Sequence, residues 1–246
     1  MCLGRPAGGY ARVVSAQPPP RVKPAVAADA EASGRAEAVR AAERRWWRRT
    51  AQVLWRPRSV FAALAEDDED DVVARQEPIL AIVLLAGIGG ILLTPAWGTL
   101  FDDPTVDWLV VAVVTFVGGL FYGAFGYVLL GLVIWLGARG VGVAGPARQA
   151  RHVLAFSAVP LALSTVVTVP VALIAYGGDF FRSGGGDEGT GRGVVVAIGL
   201  VFVAWALALL VLGLRTTYRL PWRGVIGAAG LSAVLVAAFA VLPWAL

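Results

Sequence analysis

Between Trp108 and Leu136 the chain reads WLVVAVVTFVGGLFYGAFGYVLLGLVIWL, 29 residues without a charged side chain. As a helix rising about 1.5 Å per residue it overreaches the roughly 30 Å of hydrocarbon in a bilayer, yet two crossings would not fit. A single span that tilts or projects beyond the membrane is expected. Its glycines give it a second property. Gly119 and Gly123 stand four residues apart, the spacing that lets two helix backbones approach closely. Together with Gly126 they define the expected packing face of a central helix, used within the chain rather than for a homo-oligomer, which is the alternative.

Four further segments lack charge and are long enough to cross: Ile79–Trp97, Val153–Tyr176, Gly193–Leu214 and Val225–Leu246. The third span in chain order, Val153–Tyr176, contains Pro160 and Pro170, so a kink or a late helix start near Pro160 is expected. Composition agrees with five spans. Of 246 residues, 58% are hydrophobic and 15% charged, with a mean hydropathy of +0.72, which excludes an ordinary soluble globule of this size. The expected fold is all-α, a polytopic five-span bundle over residues 78–246.

Charge falls elsewhere. Residues 1–77 hold 13 basic and 11 acidic side chains, against eight arginines and six carboxylates in residues 78–246. Six of these eight arginines flank alternate span ends, Arg139, Arg148 and Arg151 after the second span and Arg215, Arg219 and Arg223 after the fourth; Arg182 and Arg192 lie with Asp179, Asp187 and Glu188 in the glycine-rich loop between the third and fourth. With Arg40 to Arg58 and Arg75 ahead of the first, these ends are expected on the cytoplasmic side of the plasma membrane, and the C-terminus outside. Lys23 is the sole lysine; arginine dominance with abundant Ala, Gly and Val suggests GC-rich codons and a bacterial source.

Residues 1–35, rich in Ala, Pro, Gly and Arg, show no sustained apolar period and are expected to be a disordered tail. No apolar core of a cleavable leader follows Met1, so the first span is expected to direct insertion. Residues 36–77 are expected to form a cytoplasmic region. From Arg35 to Leu54, at about 100° per residue, Val39, Ala42, Trp46, Trp47, Thr50, Val53 and Leu54 share one arc of a helix, and Arg40, Arg44, Arg45, Arg48 and Arg49 the other. Tryptophans at the boundary and arginines above them suit a helix lying among anionic headgroups. Such a helix can also pack on the chain's own loops. No nucleic-acid partner is expected, because arginines beside a span need no further ligand. Pro57 implies a turn and a second short helix, and the run Glu66 to Asp71 a solvated acidic linker rather than a cation site.

Chemistry-bearing patterns are sparse. No ionisable residue lies within the five segments, although ion-driven transporters usually keep one there. Thr94, Thr115, Tyr122, Tyr127, Ser157, Ser164, Thr165, Thr168 and Ser232 read as packing groups. His152, beside Arg151, has no second ligand at metal spacing and is expected at a surface or interface. Asp102, Asp103 and Asp107 are expected to cap spans. Cys2, the single cysteine, excludes an intrachain disulfide. No catalytic residue, cofactor or metal is expected, and no intramembrane nucleophile with a base is visible.

The order of these features carries a resemblance. VLWRPRSVFAAL (Val53–Leu64) is followed by an acidic linker and five spans, with the block FYGAFGYVLLGLVIWLGARGVGVAGPARQARHVLAFSAVPLALS (Phe121–Ser164) at the centre. From Val53 to Leu246 the chain resembles the Yip-domain family, the Ypt/Rab-interacting polytopic membrane proteins, in its prokaryotic form. The resemblance implies a helical five-span fold with a cytoplasmic N-terminus and supplies no catalytic residue. Its eukaryotic members imply small-GTPase partners, which a bacterial chain would not inherit. A non-enzymatic membrane component, acting in membrane organisation or through an unknown protein partner, is the expected function; the alternative is a transporter or permease subunit for a small neutral or lipidic solute, which a polar cavity near Ser157, Ser164 and Thr168 would favour.

Overall fold

A carboxylate starts the long charge-free run and a glycine ends it. In the computed structural model the Asp107 side chain accepts a hydrogen bond from the Leu109 backbone N–H at 2.9 Å, satisfying a donor that a helix start leaves without an intrahelical partner. Beyond the last turn Gly142 adopts φ +84°, a left-handed conformation that glycine reaches without a Cβ clash. The Gly142 N–H donates to the Arg139 carbonyl at 3.0 Å, and the Val143 N–H to Ala138 at 3.1 Å. The helix so bounded, Trp108–Gly140, has 33 residues and measures about 50 Å at the standard rise.

The structure describes residues 25–65, 69–92, 102, 106–143, 145–177, 190–227, 230–231 and 234. Their helices, in chain order, are α1 (Ala25–Gln52), α2 (Pro57–Ala65), α3 (Glu69–Ala74), α4 (Gln76–Leu92), α5 (Trp108–Gly140), α6 (Ala147–Ser157), α7 (Val159–Tyr176) and α8 (Thr190–Tyr218). A further helical turn covers 222–227. Residues 1–38 and 39–246 are separate units; the second carries the spans. Helix α1 begins ten residues ahead of the expected start at Arg35, within the segment expected to be disordered. Alanine explains this: AVAADAEA, residues 25–32, has strong helix propensity while lacking the apolar period that marks a packed face.

Four stretches are long and apolar enough to cross a bilayer: Val72–Leu92, Trp108–Gly140, Ala147–Tyr176 and Gly193–Tyr218. Each overlaps an expected span but ends where backbone hydrogen bonding ends rather than where charge begins, so α8 runs on through Arg215 to Tyr218. Residues 93–97 of the first expected span lie outside the described residues, and so does the fifth expected span, Val225–Leu246, apart from 225–227, 230–231 and 234.

The third crossing is jointed. The amphipathic α6 ends at Ser157, and α7 starts at Val159 with Pro160 in its first turn. Proline supplies no N–H there, where a helix start needs none, so Pro160 marks a late helix start, one of the two outcomes its position predicted. Pro170 lies inside α7, where its ring removes the donor that would reach the Val166 carbonyl.

Helix α4 is clasped between α5 and α7, and backbone meets backbone on its α5 side. A Cβ on Gly119 would lie 2.8 Å from Ile88 Cα, one on Gly123 would overlap the Val83 carbonyl, and one on Gly87 would lie 2.7 Å from Gly123 Cα. On its α7 side Gly89 faces Thr165. The bulky core lies at the other end of the helices. There α2 buries Val60, Phe61 and Leu64, and Gly213 of α8 makes room: a Cβ would sit 2.8 Å from the Phe61 ring and 2.9 Å from Val153. Thr217 Oγ1 donates to the Phe61 carbonyl at 3.1 Å, and Gln149 Nε2 to that of Leu64 at 3.4 Å. These bonds tie α2 to α8 and α6.

Candidate functional site

The arginines that flank the spans gather at this packed end, and α1 is keyed into it. Ala42, Trp46 and Val53 are buried at spacings of four and seven, one stripe of a 3.6-residue helix. Trp46, with no exposed surface, packs on Phe156 of α6 with ring centroids 5.5 Å apart at 53°, a tilted aromatic geometry. Two guanidiniums share the indole: Arg49, one turn further along α1, at 4.5 Å and Arg75, between α3 and α4, at 4.9 Å from the ring centroid. Arg75 is 1% exposed. A cation over a tryptophan face contributes about 0.5 to 2 kcal/mol, most when desolvated, so the ring offsets part of the cost of burying the charge.

A second stack continues the layer. The Arg151 guanidinium lies 5.9 Å from the Tyr127 ring of α5, and its stem crosses Gly131, where any Cβ would collide with it. His152, next along α6, is buried. Of the two expected positions, surface or interface, burial leaves the interface: α6 turns that side chain inward. At the end of α5, Trp135 Nε1 donates to the Gly145 carbonyl at 2.9 Å while Arg139 covers its ring at 4.8 Å. Trp46 Nε1, Arg151 Nε and Tyr218 Oη have no hydrogen-bond partner among the described residues. The layer thus concentrates guanidinium groups and ring donors, with aromatic faces beneath Arg49, Arg75, Arg139 and Arg151. Such an arrangement can hold an anionic surface or an acidic partner.

The predicted lipid-facing residues divide accordingly. Arg40, Arg44, Arg45 and Arg48 are exposed and Arg49 half-buried, whereas Trp46 is inside the protein and Trp47 outside it, 43% exposed. The reading that both tryptophans face headgroups is thereby corrected for Trp46, whose pocket of Phe156, Arg49 and Arg75 takes the place of lipid. Of the three glycines, Gly119 and Gly123 meet α4; Gly126 meets nothing within 4 Å and is not a packing position among the described residues. Asp107 caps α5. The side chains of the acidic run Glu66 to Asp71, Asp103, Thr94 and Ser232 fall outside the described residues.

Of the three hydroxyls considered for a polar cavity, two serve their own helix: Ser157 donates to the Val153 carbonyl at 2.7 Å and Thr168 to that of Ser164 at 2.6 Å, as the neighbouring Thr165 does to Leu161 at 3.2 Å. Two open cavities instead flank α2, lined by Trp55 to Ser59, Leu207, Ala208, Val211, Leu212, Arg215 and Trp222. Sequence reasoning missed both this cleft and the burial of Arg75. The cleft joins residues 150 positions apart and has no local signal. Arg75 had one, an arginine directly ahead of an apolar span with a tryptophan-rich helix upstream.

A bundle of apolar spans with a leader helix and a jointed third crossing is the setting in which the family comparison falls. The family model described as the Yip1 domain matches residues 51–244. The chain belongs to the Yip1-domain family. No curated protein and no solved structure matches it. The matched region starts at the end of α1, so Ala42 and Trp46 precede the Yip1 domain and Trp46 packs onto Phe156 within it. Family membership together with the four apolar helices makes this a multi-pass membrane protein.

Proposed function

We propose that the chain is a non-enzymatic component of the plasma membrane that organises the bilayer locally or holds a protein partner at a rigid basic platform. One observation carries the reading: Trp46 locks α1 onto the Yip1 domain with no surface exposed, while Arg40, Arg44, Arg45 and Arg48 of the same helix point away from it. A helix held only by its charges would lie loosely on a membrane. A helix pinned by a buried indole presents those charges at a set height and angle. The arginine distribution argues that the platform is cytoplasmic, with the N-terminus on that side and the C-terminus outside.

The test places a photo-crosslinking side chain at Trp47 in the full chain, in its own membrane. A discrete protein adduct, or an adduct enriched in anionic lipid, is expected. Adducts no more frequent than those from a probe at Trp108, exposed at the opposite end of α5, would overturn the proposal.

A further inference from the structure

The cleft beside α2 has the chemistry of a phospholipid site. It consists of two shallow, open depressions, of about 420 and 540 Å³, that share Arg58 and Leu212. One wall is a membrane span: Leu207, Ala208, Val211 and Leu212 form an apolar stripe of α8. The rim is cationic. Arg58 stands in the first turn of α2 and Arg215 at the end of α8, and both line the larger cavity. Arg215 is held against Trp222, its guanidinium 4.1 Å from the ring centroid, which leaves the edge N–H groups to donate. Trp55 and Trp222 flank the opening at 65% and 56% exposure, the aromatic type enriched where membrane meets water.

We infer that this cleft binds one anionic phospholipid, its phosphodiester between Arg58 and Arg215 and an acyl chain along the Leu207–Leu212 stripe of α8. Guanidinium recognises phosphate by paired N–H donors at fixed geometry, and basic pockets between spans hold anionic headgroups. A soluble phosphate would leave the apolar wall wet; a neutral lipid would leave both cations without an acceptor. The site is separate from the α1 platform and rests on the membrane-spanning reading alone.

The full chain, purified in neutral detergent and stripped of lipid, is titrated with phosphatidylglycerol, phosphatidylcholine and inorganic phosphate, with bound lipid read by native mass spectrometry. Phosphatidylglycerol is expected to bind roughly tenfold more tightly than phosphatidylcholine, and millimolar phosphate should not displace it. Arg58→Gln with Arg215→Gln should abolish the preference. Arg219→Gln with Arg223→Gln, an equal loss of charge at exposed positions outside the cleft, should preserve it. Ala208→Phe fills the exposed wall while keeping both arginines, so it tests the acyl part in a chain whose rim is intact and should weaken binding about fivefold. Equal affinity for both lipids, equal loss in the two double variants, displacement by phosphate, or full binding in Ala208→Phe would each overturn the inference. Carbonate extraction of the native membranes separates the failures: a chain that stays in the pellet leaves the membrane-spanning reading intact whatever the titration shows.

Discussion

The two ends of the spans are assembled from different materials. At the basic end Trp46, Phe61, Phe156, Leu64 and Leu214 are each at most 1% exposed, and helices α1, α2 and α6 fold over the span termini. Towards the other end, α4 and α5 touch through Gly87, Gly119 and Gly123, and the outer face of α5 leaves Trp108, Leu109, Phe116, Phe121 and Phe125 more than half exposed. The difference follows from the solvent each end meets. Water drives bulky side chains together. Lipid tails are as apolar as leucine, so helices inside a bilayer gain from close backbone contact instead. The lesson is that one pair of helices can obey both rules along its length, and substitutions should be felt accordingly.

The largest expected effect is at the basic end. Trp46→Ala empties a closed aromatic pocket and strands Arg75 without its ring, a loss of about 3–5 kcal/mol by analogy with core tryptophans. Trp47→Ala, one residue on but outside the pocket, should cost about 1 kcal/mol or less. Unfolding of the full chain in bicelles measures both. Similar losses in the two variants would mean that α1 is held by lipid rather than by Phe156 and the arginines.

Next comes Gly123→Ala. Its methyl group would overlap the carbonyl of Val83, and backbone cannot swing aside, so α4 and α5 must separate; the cost should reach the upper part of the about 1–3 kcal/mol of overpacked sites. Gly213→Ala is the basic-end counterpart and should fall at the lower end of that range, because its methyl meets the Phe61 ring edge and a Val153 methyl, side-chain atoms that can shift by tenths of an ångström. A reversed order in bicelle unfolding would sink the distinction between backbone and side-chain packing.

How much of this was legible in the sequence also differs between the ends. Four of the expected spans were readable because burial in lipid demands an uninterrupted apolar run, and the Gly119–Gly123 pair because close approach requires glycine at helical spacing. Asp107 was legible as a cap. The basic end was not, since its order depends on contacts between distant segments: Trp46 with Phe156, Phe61 with Gly213, Gln149 with Leu64. An amphipathic stripe states that a face is covered and is silent on whether lipid or protein covers it. In α1 the same periodicity placed Trp46 and Trp47 on one arc, yet adjacent residues point about 100° apart, and the edge of the stripe fell between them.

Gly126 brings the smallest effect and the sharpest use of the comparison. Its sequence spacing resembles that of Gly119 and Gly123, but it lies one turn further towards the basic end, where a Cβ would meet no atom within 4 Å among the described residues. Glycine inside a helix costs about 0.5–1 kcal/mol relative to alanine. Gly126→Ala should therefore stabilise the bundle by up to about that amount, opposite in sign to Gly123→Ala on the same helix. The sign is what matters. Destabilisation by Gly126→Ala in bicelles would show that this face of α5 is covered in the assembled protein. If the loss shrank on dilution, a second copy would be the cover, and if it did not, a segment of the same chain would be.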